Sequence, residues 1–416
     1  MPLSAITAKL SKKNRRHVLA LGGFAHFVHD GFTDSVYVLL PLWAAAFSLN
    51  HAQVGSLKMI MSGTLAAMQV PAGIIAERYG ERAVLATGTL ITGLGFMLLG
   101  LAGGFMSLAA FLVVAGAGCG TQHPLASSVV SRAYSASGRR AALGVYNFTG
   151  DLGKVVAPAA VGAAAATLGW AHSAAAYGAV GILAGVVLFA LLPRRQPAGT
   201  SSAPAPGSDS GSGSGIGSKA RPHTAHGWGI TNRRGYSALA AIGMVDSAVR
   251  VGSLTFIPFL LVEKGASADI LGFALSLVFA GGATGKLVCG FIAERVGILR
   301  TVLLTEAATA GLIAAAILLP LRPTLALLPL FGLALNGTSS VLYGTIGDFV
   351  EGERQARAYG LFYTLGIGSG ALAPVPAGAV SDAYGVSVAL GVLATSVLLI
   401  LPLAGWLNAC LPKGSA

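Results

Sequence analysis

The chain has 416 residues, of which 54% are hydrophobic and only 10% charged, and its mean hydropathy is +0.73. That composition excludes a water-facing globular surface and places the chain in a membrane. A formal charge of +12 would suit a nucleic-acid partner in a soluble protein, but here the basic residues lie between apolar runs, so nucleic acid is excluded as a partner and the lipid bilayer takes its place.

Stretches of about 20 apolar residues, each long enough to cross roughly 30 Å of hydrocarbon as a helix, give twelve predicted spans. They cover residues 17–47, 52–76, 82–102, 105–131, 140–168, 172–192, 235–262, 268–293, 300–320, 323–347, 355–382 and 385–408. The expected fold is an all-α membrane protein in which 1–192 and 235–416 form two pseudo-symmetric six-helix bundles. A Pro-, Ser- and Gly-rich cytoplasmic linker, 193–234, joins them. Twenty-one lysines and arginines fall on one side of these spans and two, Lys264 and Arg322, on the other. The positive-inside rule then places both termini and the linker in the cytoplasm of a bacterial inner membrane.

Span 1 begins after a basic segment and contains His26, His29, Asp30 and Asp34, so it reads as a retained helix and not as the short apolar core of a cleaved leader. His26, Asp30 and Asp34 recur at steps of four and share one face. Ionisable groups near the bilayer centre cost roughly 2.5 to 3.5 kcal/mol on insertion scales, so this face must meet a partner or a water-filled cavity. Asp30, then Asp34, are the expected proton carriers, with His26 and His29 more often hydrogen-bonded packing. Tyr37 and Pro41 follow. Lys58 in span 2 is expected to snorkel to the outer interface.

After span 2 comes the loop GIIAERYGERAV from Gly73. Span 4 carries His123 before Pro124, where the imidazole either hydrogen-bonds a solute, titrates, or satisfies the carbonyl freed by the kink. Span 5 carries Tyr146, Asn147, and Asp151 with Lys154 at a pair spacing; span 7 carries Asp246 and Arg250 four apart. Each pair reads either as a self-neutralising ion pair or as a switch whose basic member is contested by a solute. Lys286 in span 8 is a further deep base, and Asn336 and Tyr343 in span 10 are polar pocket candidates. Glu306 lies in span 9.

The halves repeat. GFIAERVGILRT from Gly290 matches the first loop at an offset of 217, which also carries Pro41 onto Pro258; Gly144 and Pro158 fall on Gly360 and Pro374 at an offset of 216. The deep charges do not repeat, since Asp30 and Asp34 correspond to Ser247 and Val251.

The loop residues Gly73, Glu77, Arg78, Gly80 and Arg82 resemble the signature between spans 2 and 3 of the major facilitator superfamily, with Glu77 where that pattern has Asp. Gly290, Glu294 and Arg295 resemble its second copy. The resemblance implies the major facilitator fold, a monomer, a cavity lined by spans 1, 4, 7 and 10 with span 9 and its Glu306 peripheral, and a gate at these loops that holds the outward-facing state closed inside. The run Gly116 to Val129, with Gln122, His123 and Pro124, is similar to the fosmidomycin-resistance type of efflux carrier, but departs from it at Leu125 and at the charged GDLGK of 150–154.

The expected function is proton-coupled secondary transport by alternating access. Efflux of a small organic solute, anionic among the options, is favoured over uptake of a carboxylate, sugar or amino-acid derivative, and a non-transporting sensor is the third reading. Proton coupling is assigned to Asp30, Asp34 and Asp246. Solute binding is assigned to His29, Tyr37, His123, Asn147, Asp151, Lys154, Arg250, Lys286, Asn336 and Tyr343. No enzyme is expected, since the sequence contains neither a GxxxxGKS/T phosphate loop nor a catalytic constellation, and no cofactor or metal is called for. Cys119, Cys289 and Cys410 read as packing.

Overall fold

A computed structural model describes residues 12–134, 136–193, 230–350 and 355–411. The first half contains α1 (Lys12–Phe47), α2 (His51–Tyr79), α3 (Glu81–Leu99), α4 (Phe105–Cys119), α5 (Gln122–Ala133), α6 (Ala136–Leu168) and α7 (Trp170–Leu191). The second contains α8 (Arg233–Glu263), α9 (Ala268–Val296), α10 (Ile298–Leu318), α11 (Leu321–Thr345), α12 (Gln355–Leu372), α13 (Pro374–Tyr384), α14 (Val386–Ser396) and α15 (Ile400–Asn408). Among the described residues, ten helical stretches are long and apolar enough to cross a membrane, with α4–α5 and α14–α15 each counting as one. The other two long stretches, α1 with its charged face and the interrupted α12–α13, fall outside that count.

Prolines explain most of the interruptions. The ring of Pro124 excludes the carbonyl four residues before it, and the helix breaks there, at Gly120–Thr121, separating α4 from α5. Pro158 is absorbed inside α6, whereas its counterpart Pro374 begins α13 after a break at Ala373. The repeat is visible in the backbone. Gly80 (φ 83°, ψ 145°) and Gly297 (φ 98°, ψ 153°) turn the chain between α2 and α3 and between α9 and α10. Gly169 (φ 80°, ψ 158°) and Gly385 (φ 91°, ψ 160°) do the same before α7 and α14. These are conformations that only glycine adopts at low cost, and the pairs are spaced by the same 217 and 216 residues as the sequence repeat.

The two halves meet at one end and part at the other. One apolar core crosses between them, with Phe32, Trp43 and Phe96 packed in the same cluster as Phe256 and Phe331. The other end has two separate cores, one around Leu21, Leu85 and Val130 and one around Leu239, Leu342 and Phe349. At the closed end α6 packs on α9 and α2 on α13. A Cβ on Gly55 would strike the Pro374 carbonyl and one on Gly378 the His51 carbonyl, so the backbones touch. Asp382 at the end of α13 accepts hydrogen bonds from the first two amides of α2, His51 N at 2.6 Å and Ala52 N at 2.9 Å. An acidic side chain thus caps a helix N-terminus of the opposite half.

The open end carries the basic loops. Glu77, Arg78, Glu294 and Arg295 are exposed there, and the space beside Gly73 and Gly290 is empty. The expected gate is therefore apart in this state, and the acid engaged is a different one: Arg132 pairs with Glu81, while Arg82 donates to the carbonyl of Phe189. The side chains of Arg139, Arg140, Arg354 and Arg357 lie outside the described residues. So do residues 194–229 of the expected linker, but its last residues are built into the fold. Ile230 bridges Val350, Thr231 N donates to Phe349 O, and Asn232 caps α8 through the Gly235 amide.

Candidate functional site

Midway along α1, the steps of four place His26, Asp30 and Asp34 toward α5 and α6. Asp30 is buried, 4% exposed, and four bases surround it. His26 Nε2 and Lys154 Nζ lie 3.2 and 3.3 Å from its Oδ2; His29 Nε2 and His123 Nε2 lie 3.8 and 3.9 Å from its Oδ1. The second nitrogen of His26 fixes its orientation. Nδ1 sits 2.9 Å from the carbonyl oxygen of Tyr146, which can only accept, so Nδ1 carries a hydrogen. Nε2 is then the atom facing the Asp30 carboxylate, and two lone pairs would face each other there unless a hydrogen lies between them. A hydrogen on one of the two atoms therefore bridges the His26–Asp30 contact.

His26, Asp30 and His123 also lie close enough to share a metal ion. Lys154, at 3.3 Å from the same carboxylate, occupies the cation's place. A metal ion there would have to displace Lys154 from the Asp30 carboxylate.

Lys154 connects this cluster to the space between the halves, reaching Asp34 Oδ2 and Asp151 Oδ1 at 3.9 Å each. Asp151 in turn accepts from Lys286 Nζ at 2.5 Å, an ion pair that joins α6 of one half to α9 of the other. On the far side Arg250 Nη2 lies 3.6 Å from Asp246 Oδ2, one turn apart on α8. A cavity of about 230 Å³ lies between, lined by Asp34, Tyr37, Asp151, Lys154, Arg250, Lys286 and Asn336, with Phe279, Leu254 and Ile367 as apolar wall. Its lining has three cations and two carboxylates, a net charge of +1.

Seven of the predicted residues therefore meet at one cavity, and the others stand off it. Asp30 and Asp246 are buried behind Lys154 and Arg250. His29 is buried behind Asp30, against the His123 ring at 4.7 Å. His123 touches Asp30 but does not line the cavity, Asn147 points from the exposed face of α6, and Tyr343 stacks on Tyr363 at 4.5 Å. The wall also differs from the expected set of spans: among the described residues it draws on α6, α9 and α12 but not on α4 or α5.

Two readings need correction. Lys58 does not snorkel: it is 4% exposed, with Nζ 4.1 Å from the centre of the Tyr37 ring. Nor is Glu306 peripheral, since it is 3% exposed, with its carboxyl group in hydrogen-bonding reach of that of Asp246. The signal for both was a lone charge deep in an apolar run, which always demands a partner.

The family model of the Major Facilitator Superfamily matches the chain twice, over residues 22–248 and 237–413. The chain belongs to this superfamily. It is therefore a multi-pass membrane protein of a transporter superfamily, and the relatives it matches carry the names of transporters, not of enzymes. The chain is 26% identical to a probable sulfoacetate transporter of Cupriavidus necator over 288 residues, 68% of this chain and 66% of that protein. It is 25% identical to the fosmidomycin resistance protein of Escherichia coli over 158 residues, 38% of this chain and 39% of the relative. A sialic acid transporter of Escherichia coli is 30% identical over 35% of this chain and 37% of its own length. These matches span less than two thirds of each relative. The fold is also that of a bacterial homologue of the lysosomal transporter Spinster (TM-score 0.76, 18% identity, 96% of this chain and 97% of that one). A variant of the nucleoside transporter NupG shares it too (TM-score 0.74, 14% identity, 94% and 99%).

Proposed function

We propose that this protein is a proton-coupled symporter that takes up a small organic anion across the bacterial inner membrane. In this reading twelve helical spans cross the bilayer, 1–192 and 235–416 act as the two rocking bundles, and both termini lie in the cytoplasm. The open end, which bears the basic loops, is then the cytoplasmic one.

One observation carries the reading: each cation of the cavity is already engaged by a carboxylate. Lys154 has Asp30, Asp34 and Asp151, Lys286 has Asp151, and Arg250 has Asp246. An entering anion must displace a carboxylate from its base, which leaves an uncompensated negative charge in a low-dielectric site, unless that carboxylate takes up a proton. Proton and anion therefore favour each other's binding, and such positive linkage is the thermodynamic basis of symport. Efflux by antiport requires the two to compete for one site, as a cationic solute would. The His26–Asp30 contact supplies a place where the proton can rest, and Lys154 transmits its presence to the cavity. The +1 lining suits a solute with a carboxylate or sulfonate group. The relatives named for sulfoacetate and sialic acid, both organic acids, support that class.

Proteoliposomes loaded at one pH and diluted into another test this directly, with radiolabelled sulfoacetate and sialic acid as probes. An inside-alkaline gradient is expected to drive accumulation that a protonophore abolishes. Accumulation driven only by an inside-acid gradient would instead establish antiport, the efflux direction.

A further inference from the structure

The charges of the second half form a polar core of their own behind the cavity. Asp246 on α8 is 5% exposed and Glu306 on α10 is 3% exposed, and their carboxyl groups face each other within hydrogen-bonding reach. From α11, Thr338 shares a hydrogen bond of 2.7 Å with Thr305 beside Glu306, and Tyr343 lies near Arg250 and Asp246. Arg250 is the cation of this group, 3.6 Å from Asp246 and with its other side on the cavity. Glu306 Oε1 has no hydrogen-bond partner among the described residues, and neither has Arg250 Nε.

Two carboxylates carry no hydrogen to share, and burying both as anions against a single guanidinium leaves one negative charge uncompensated. One proton between them removes that charge and makes the hydrogen bond.

We propose that Asp246 and Glu306 hold one proton between them as a second coupling site, in which Glu306 acts as a positioning residue that ties proton occupancy to Arg250. The inference rests on the symport reading for its role in transport, although the shared proton does not depend on it. At rest the group is neutral, with Arg250 positive, one carboxylate negative and one carboxyl protonated. When an anion takes Arg250, the pair loses its counter-charge and accepts a second proton from the water of the open cavity. Anion and proton thus enter together and the group stays neutral. Release to the other side reverses both steps.

The first test reads protonation itself, by infrared difference spectroscopy on the full-length protein in detergent at neutral pH. The carbonyl-stretch band of a protonated carboxyl group is expected in the parent, and Glu306→Gln and Asp246→Asn should each remove the same band. Persistence of that band in either variant overturns the proposal. Each substitution is near-isosteric, and either one alone decides the point if the other does not fold. The second test measures labelled sulfoacetate in proteoliposomes. In Glu306→Gln, accumulation driven by a pH gradient is expected to fall about tenfold or more, within the range of allosteric couplings, while exchange of internal for external sulfoacetate stays within about twofold of the parent. Equal loss of both would make Glu306 merely structural and overturn its coupling role. If the parent does not carry sulfoacetate at all, the symport reading fails for that solute while the infrared result still decides the shared proton.

Discussion

The cap that Asp382 places on α2 should set how long the closed end stays shut. In Asp382→Asn one acceptor oxygen remains, so one of the two amide hydrogen bonds, at 2.6 and 2.9 Å, is lost together with the negative charge at the helix N-terminus. A hydrogen bond to a charged group contributes about 1.5 to 3 kcal/mol and the helix-end charge about 0.3 to 1 kcal/mol. The Asp382 side chain is 30% exposed, so the lower parts of these ranges apply. The sum is about 2 kcal/mol, a shift of roughly 30-fold in the ratio of molecules with this end closed to those with it open. The remaining Ser381 Oγ to His51 Nδ1 hydrogen bond, 2.8 Å, belongs to both variants and cancels. The assay is the alkylation rate of a cysteine introduced at Ala377, a buried position on the same helix, in a background without Cys119, Cys289 and Cys410. When closing is fast relative to labelling, the rate follows the open population and should rise roughly 30-fold in the Asn variant. An unchanged rate would refute the latch, because the geometry would then contribute nothing to closure.

Other expectations follow from the same geometry. Asp30→Asn removes the proton acceptor of His26 while leaving Lys154 with Asp34 and Asp151, so pH-driven accumulation should vanish and solute exchange should persist; loss of binding as well would assign Asp30 to the solute. Lys286→Gln removes the base that joins the halves through Asp151 and should weaken binding of an organic anion about tenfold, as expected for a partly exposed charge-assisted contact; titration by ligand-induced thermal stabilisation reads this, and an unchanged affinity would take Lys286 out of the site. Gly297→Ala forces a side chain onto φ 98° and ψ 153° and should cost about 1 to 3 kcal/mol. Gly290→Ala, with empty space beside it, should leave the melting temperature of this state unchanged or raise it.

Much of the architecture was legible because membrane insertion constrains sequence so strongly. Apolar length and the glycines of the repeat each answer to a local requirement: the hydrocarbon thickness or a turn with positive φ. The face bearing His26, Asp30 and Asp34 was legible for the same reason, since helical spacing alone aligns those side chains. Which partners they meet was not. Asp151 looked like the intrahelical partner of Lys154, yet its nearest base is Lys286 from the other half, at 2.5 Å. Glu306 looked like a charge on an outlying span, and no spacing or motif singled out Asp382, whose two hydrogen bonds reach the opposite half.

The sequence by itself determined a duplicated helical scaffold in a membrane and an inventory of deep charges that cannot face lipid. Only the tertiary structure decided which charges share a cavity, which acids back the bases that line it, and which end of the molecule is shut. The physical reason is range. Hydropathy and helical periodicity act within one segment, whereas ion pairing and helix capping depend on how segments hundreds of residues apart are docked.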